Sequence, residues 1–244
     1  MSVLGEAPCA VEARAVQFAH FGGQDFAAFA SLELTLRQGE LLCLAGVNGS
    51  GKSTLLALLA GLYVCRAGCL RVFGHDMTQE PSRLRGAACA ALLMQDPDVQ
   101  ILGATAGEDL LLGTKGDAPA QARAMALAGR FLLSDVLDTP CQHLSYGQKR
   151  KLCLAAALMR EPRLLLLDEP FGGLDYPAVG ELRQILLDLK GEGRCIIVSS
   201  HDMDPLLGVM DSILYLPRSG KALFGPVAAM LPHAAEMGVK PVIR

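Results

Sequence analysis

The segment Gly46-Val47-Asn48-Gly49-Ser50-Gly51-Lys52-Ser53 satisfies G-x-x-x-x-G-K-[ST] in full. A nucleoside triphosphate presents clustered negative charge, and a loop of this kind meets it with inward-turned backbone N–H groups and the positive end of the helix that follows. Gly46, Asn48, Gly49, Ser50, Gly51 and Thr54 are therefore expected to line the phosphates. Lys52 is expected to reach the β- and γ-phosphates, and the Ser53 hydroxyl to bind Mg²⁺. A second acidic element follows the run Leu164-Leu165-Leu166-Leu167, namely Asp168-Glu169-Pro170. The leucines bury a strand whose tip can hold Asp168 beside the nucleotide, where a carboxylate fixes Mg²⁺ through its water shell. Glu169 is then the candidate base for hydrolysis, and a positioned base contributes about 10²- to 10⁴-fold. An Asp-Glu pair after a strand is commonplace, and it becomes specific only beside the phosphate loop. Further along, Ser145-Tyr146-Gly147-Gln148 has the S-x-x-Q spacing of a capping box, with Gly147 allowing close backbone approach at an anion-attracting helix start.

These groups need elements to aim them. The short apolar runs Leu41–Ala45, Ala91–Met94, Leu164–Leu167 and Cys195–Ser199 lack alternation, which predicts parallel strands covered on both faces. Helical spacing follows at Lys52–Leu59, Pro177–Leu189 and Asp204–Met210, so strands and helices alternate as in a doubly wound sheet. Ala- and Leu-rich helical spacing through Ala120–Leu133 and Gln148–Met159 predicts a helical insertion between two of the strands. Partial alternation at Ser31–Arg37 predicts antiparallel strands in the first forty residues.

Composition narrows the classes further. The chain has 244 residues, 51% of them hydrophobic and 19% charged, with a net charge of −3. That excludes disorder for most of its length and permits a sizeable core without disulfide or metal staples. Mild acidity with no basic run argues against nucleic-acid binding. The longest charge-free stretch, from Ala222 to Ala235, contains Gly225, Pro226 and Pro232 and falls short of the roughly 18 apolar residues of a membrane helix. The start Met1-Ser2-Val3-Leu4-Gly5-Glu6 lacks the pattern of a secretory signal, so a cytoplasmic chain is expected. The 8 cysteines are scattered without a C-x-x-C pair and are expected to be reduced core residues.

Together, the phosphate loop, the acidic strand end and Leu144-Ser145-Tyr146-Gly147-Gln148 resemble the ATP-binding cassette family. The resemblance implies an α/β fold, a P-loop NTPase (RecA-like) parallel-sheet core with an N-terminal antiparallel β-subdomain and an inserted α-helical subdomain. It also implies one domain over residues 1–244, with 1–95 and 160–244 as core plus β-subdomain and about 96–159 as the helical part. In that family, Gln95 would touch Mg²⁺ and the attacking water and sense a membrane partner. His201 would contact the γ-phosphate, and Phe21, or alternatively His20, would stack on adenine. Ser145, Gly147 and Gln148 would bind the nucleotide of a second cassette in trans, and Asp175 of Gly173-Leu174-Asp175 would cross the dimer interface. Tyr146, Val47 and Phe171 depart from the family's usual glycine, proline and threonine or serine. Gln95-Asp96-Pro97-Asp98-Val99-Gln100-Ile101-Leu102, with Gly107-Glu108-Asp109, is similar to the energy-coupling-factor branch. His143 and Gln148-Lys149-Arg150-Lys151 are similar to its cobalt and nickel members. The implied protein is an ATPase using ATP and Mg²⁺, a homodimer or a heterodimer with a second ATPase, peripheral on the cytoplasmic face and joined to integral membrane transporter subunits. Vitamin uptake, or a non-transport cassette of the iron–sulfur assembly kind, is the alternative.

Overall fold

The computed structural model describes residues 8–19, 27–218 and 221–241. In chain order the elements are β1 (Cys9–Ala19), β2 (Ala27–Arg37), β3 (Leu41–Ala45), α1 (Lys52–Leu59), β4 (Ala67–Val72), β5 (His75–Asp76), α2 (Ser82–Ala88) and β6 (Ala90–Leu93). They continue as α3 (Ala106–Leu111), α4 (Ala118–Arg130), α5 (Tyr146–Leu158), β7 (Leu164–Asp168), α6 (Tyr176–Gly191), β8 (Cys195–Ser200), β9 (Ser212–Tyr215), β10 (Leu223–Pro226) and α7 (Val227–Met230).

Two sheets result. The smaller has the order β2-β1-β4-β5, with β1 antiparallel to both β2 and β4. The larger has the order β10-β9-β3-β8-β7-β6, parallel except for the antiparallel β10 at its edge. Apolar side chains on β3 alternate between two cores. Leu41, Cys43 and Ala45 join the core shared with α4, α5 and α6, whereas Leu42 and Leu44 join the core shared with α1 and the smaller sheet. Strands β7 and β8 divide in the same way, which explains why their sequences show no polar alternation. Helices α3, α4 and α5 form the insertion between β6 and β7.

The helix expected over Asp204–Met210 is not formed. Only a 3₁₀ turn at Asp204–Leu206 occurs, because the backbone leaves the helical region at Leu207 (ψ 130°) and Gly208 takes the left-handed conformation (φ 75°). The helical pattern through Ala120–Leu133 ends early as well, at Arg130, with Leu132 left-handed (φ 57°).

Candidate active site

Strand register decides where the chemistry-bearing loops emerge. Leu93 pairs with Leu167, Asp168 with Ser199, and Ala45 with Ser200. The chain therefore leaves β3 at Gly46, β6 at Met94, β7 at Glu169 and β8 at His201 along one sheet edge. This is the carboxyl end of parallel strands, where open α/β sheets bind their ligands.

After β3, Gly51 adopts the left-handed backbone (φ 97°) that turns the loop into α1. A side chain at Gly46 would place its Cβ 2.4 Å from the Leu216 carbonyl oxygen, so that position excludes one. No side chain caps α1, which leaves its first N–H groups free for an anion. Lys52 is nearly buried and donates to the carbonyls of Gly46 at 2.8 Å and Val47 at 3.4 Å. Ser50 Oγ is buried inside the loop with no hydrogen-bond partner, an unmet polar atom of the kind a ligand satisfies. Arg218 forks onto the Asn48 carbonyl at 3.2 and 3.0 Å and braces the loop from outside.

At the end of β7, Ser199 Oγ donates to Asp168 Oδ1 at 2.5 Å and accepts from the Glu169 N–H at 2.9 Å. Glu169 is left-handed (φ 47°), a conformation that costs a non-glycine residue about 1–3 kcal/mol unless its surroundings impose it. Its carboxylate is mostly buried and lies between two cationic or potentially cationic groups. Lys52 Nζ stands 3.6 Å from Oε1, and His201 Nδ1 stands 2.9 Å from Oε2. An ionised carboxylate only accepts, so the Nδ1 proton of His201 points at Glu169 and Nε2 is left for another partner. Lys52, Asp168, Glu169 and His201 thus form one connected group. A cavity of about 220 Å³ beside them is lined by Ser53, Thr54, Ala57, Tyr63, Met94 and Asp168, among others.

A family model described as ABC transporter matches residues 29–172 of this chain. The chain belongs to the ABC transporter family. A Thermosynechococcus vestitus protein described as an ABC transporter ATP-binding protein is 39% identical over 75% of this chain and 66% of its own length, so the chain spans just under two thirds of that relative. The nickel import ATP-binding protein NikO of Rhodobacter capsulatus is 34% identical over 93% of this chain and 92% of its own. The cobalt import ATP-binding protein CbiO of the same organism is also 34% identical, over 94% and 84%. Among solved structures, cbiO1 of Clostridium perfringens, described as part of the complex cbiONQ, superposes with a TM-score of 0.82. That match covers 92% of this chain and 91% of the other at 24% identity. The relatives matched over most of both lengths are thus described as import ATP-binding proteins.

The remaining candidate residues sit around the cassette's central group in different ways. Gln95 is exposed, just past β6, and its backbone carbonyl accepts from Tyr146 at 3.4 Å. At the start of α5, Ser145 and Gln148 close the capping box on each other, Gln148 N–H to Ser145 Oγ at 3.2 Å and Ser145 N–H to Gln148 Oε1 at 2.8 Å. A Cβ on Gly147 would meet nothing within 4 Å among the described residues. Asp175 caps α6 through the Ala178 N–H at 2.9 Å. Phe21 and His20 lie outside the described residues. Among the described residues, no group of three or more His, Cys, Asp or Glu could hold a metal. The oxygen donors Ser53 and Asp168 fit Mg²⁺ nonetheless, because that ion takes one or two protein oxygens and completes its shell with phosphate and water. Ser199, Arg150 and Arg218 also build the site, and the sequence pattern scarcely marks them. The only available signal was a serine, Ser199, at the end of an otherwise apolar buried run.

Proposed function

We propose that this chain is the ATP-binding and ATP-hydrolysing subunit of an energy-coupling-factor importer for cobalt or nickel ions, on the cytoplasmic face of the membrane. The observation that carries the catalytic part is the Glu169 carboxylate, held between Lys52 and His201 at the end of the sheet. Lys52 exchanges the Gly46 and Val47 carbonyls for β- and γ-phosphate oxygens within the loop formed by Gly46, Asn48, Gly49, Ser50, Gly51, Ser53 and Thr54. Glu169 accepts a proton from water as the water oxygen bonds to the γ-phosphorus, and the bond to the β,γ-bridging oxygen breaks to give ADP and inorganic phosphate. His201 steadies the carboxylate and turns Nε2 toward the γ-phosphate, and Gln95 orients the water. Ser53, Asp168 and Gln95 would hold Mg²⁺, which when bound neutralises charge on the phosphates.

Ser145, Gly147, Gln148 and Asp175 serve the nucleotide of a second cassette, either an identical chain or a related one. The open space at Gly147 supports this, since nothing among the described residues requires a glycine there. Phe21 or His20 stacks on adenine. The single cassette domain carries its helical part over about 96–159. Separate membrane subunits supply the translocation path in this reading; among the described residues, no helix is long and apolar enough to cross a membrane. Those subunits seat in a groove of about 570 Å³ whose walls include Leu62, Leu84, Leu92 and Met94, near the exposed Val99 and Leu102. The names of the nickel and cobalt relatives support the cargo.

Two measurements test the proposal. Glu169→Gln should keep ATP affinity and lose turnover by at least about 10²-fold, whereas Lys52→Ala should lose affinity itself. Full activity in the first, or unchanged affinity in the second, removes the assigned role. Uptake of labelled cobalt, nickel and biotin by the native membrane complex, with Lys52→Ala as the inactive control, tests the cargo. Biotin uptake alone moves the assignment to vitamins, and purification without any multi-helix membrane protein moves it away from transport.

A further inference from the structure

Tyr146 opens α5, and the structure gives its side chain several partners. Its hydroxyl donates to the Gln95 carbonyl at 3.4 Å and accepts from Arg150 Nη2 at 2.8 Å. The same Arg150 nitrogen donates to the Glu169 carbonyl at 3.3 Å, and Nη1 donates to the Met94 carbonyl at 3.2 Å. The guanidinium also lies over the Tyr146 ring, 5.1 Å from its centroid. On the ring's other contact, a Cβ on Gly173 would come within 3.1 Å of Tyr146 Cε1, so the loop after β7 packs directly on the tyrosine.

Arg150 is 7% exposed, and these partners are all neutral oxygens. A guanidinium is costly to bury in that way, and its planar fork is what allows one side chain to reach several carbonyls at fixed angles. The fork falls where backbone restraint is most needed. Glu169 sits in a strained left-handed conformation, fixed at its N–H by Ser199 and at its carbonyl by Arg150 and the Gly172 N–H at 3.2 Å. Loss of a restraint would let the residue relax toward an ordinary backbone conformation and shift its carboxylate.

We propose that Tyr146 and Arg150 are positioning residues that tie the start of α5 to the backbones of Gln95 and Glu169, so that hydrolysis depends on where that helix end sits. The pair makes the start of α5 and the catalytic edge of the sheet one mechanical unit. Anything that engages Ser145, Gly147 or Gln148 also adjusts the Glu169 turn. The inference rests on Glu169 being the base.

The test is steady-state ATP hydrolysis by the full-length chain, together with ATP affinity and Tm. Arg150→Gln should lower kcat by about 10- to 100-fold, Tyr146→Phe by about threefold to tenfold, both with KM and Tm near wild type, since misplacement of a catalytic group by about 1 Å costs on that order. Arg150→Lys should recover part of the loss, because it keeps the charge without the fork. The double variant should be no slower than Arg150→Gln alone, as expected of residues acting as a unit. Wild-type kcat in both single variants, a kcat loss that tracks Tm, or additive effects in the double variant would each overturn the inference. If Arg150→Gln does not fold, Tyr146→Phe decides alone, since it removes only a hydroxyl. Glu169→Gln measured in parallel separates the two readings. If it is inactive while the Tyr146 and Arg150 variants turn over normally, only the tie is wrong, and if it is active, the base assignment falls and the tie with it.

Discussion

Ser199 shows how one hydroxyl can serve two neighbours. It donates to the Asp168 carboxylate and accepts from the Glu169 N–H, so the candidate metal-holding acid and the candidate base are spaced by a third residue from the adjacent strand. Ser199→Ala removes both bonds in a fully buried position. We expect a stability loss of about 1–3 kcal/mol from the unpaired Glu169 N–H, read as a lower midpoint in urea. We also expect kcat to fall about tenfold while ATP affinity changes little, because the carboxylate is displaced but the phosphate loop is untouched. A variant with wild-type kcat would show that the strain at Glu169 is borne elsewhere. Ser199 was visible in the sequence only as a polar interruption, since its partners lie some thirty positions away along the chain and one strand over in space.

At the scale of elements, the segment after β6 is held by side chains acting as surrogate backbone. Gln100 donates through Nε2 to the Leu92 carbonyl at 2.9 Å and accepts through Oε1 from the Met94 N–H at 2.7 Å, which covers the exposed side of the edge strand β6 just before Gln95. Nine positions later, Asp109 is buried in α3, and its Oδ1 accepts from the N–H groups of Leu102 and Gly103 at 2.8 and 2.9 Å. Asp109→Ala should destabilise the chain by about 2 kcal/mol, and Asp109→Asn by less because the amide oxygen still accepts. Thermal unfolding of the three proteins checks that order, and equal losses would contradict it. Much of this architecture was legible beforehand. The buried strands β3, β6, β7 and β8 and the helices α1, α4, α5 and α6 all stand out from apolar runs and helical spacing, within a few residues of their observed limits. Strands β9 and β10 and helix α3 were not, because they are short and derive their definition from neighbours rather than from local pattern. The Asp204–Met210 segment misled for the opposite reason, since its apolar spacing resembles a helix while the backbone leaves the helical region at Leu207 and turns left-handed at Gly208. In the site, the phosphate loop and acidic pair are local and therefore readable. The Tyr146–Arg150 tie joins positions about fifty and twenty residues apart and is not.

On the scale of the whole molecule, the hydrophobic excess is distributed between two cores that share a single sheet. The cysteines belong to this packing: all eight are free thiols, and burial pushes Cys43, Cys153 and Cys195 from an ordinary value of 9.0 up to about 12. The sign of the coupling follows. Between roughly pH 9 and 12 the unfolded chain ionises these thiols while the folded chain keeps them protonated, so stability declines as pH rises through that range. At pH 8 the three should resist alkylation by a small maleimide in the native protein and react at once in denaturant, with mass spectrometry of peptides as the measure. Native modification of Cys43 would mean that its core opens readily.

Strand β3 bears the phosphate loop and contributes to both cores. A slip of one residue would exchange its two apolar sets and carry Gly46 along the strand by about 3.3 Å, away from the Leu216 carbonyl it adjoins. An insertion or deletion between Leu41 and Lys52 would consequently disturb the core and the phosphate loop together. In a lineage of such chains, the distance from the first leucine of this strand to the lysine would behave as a ruler whose length is inherited unchanged.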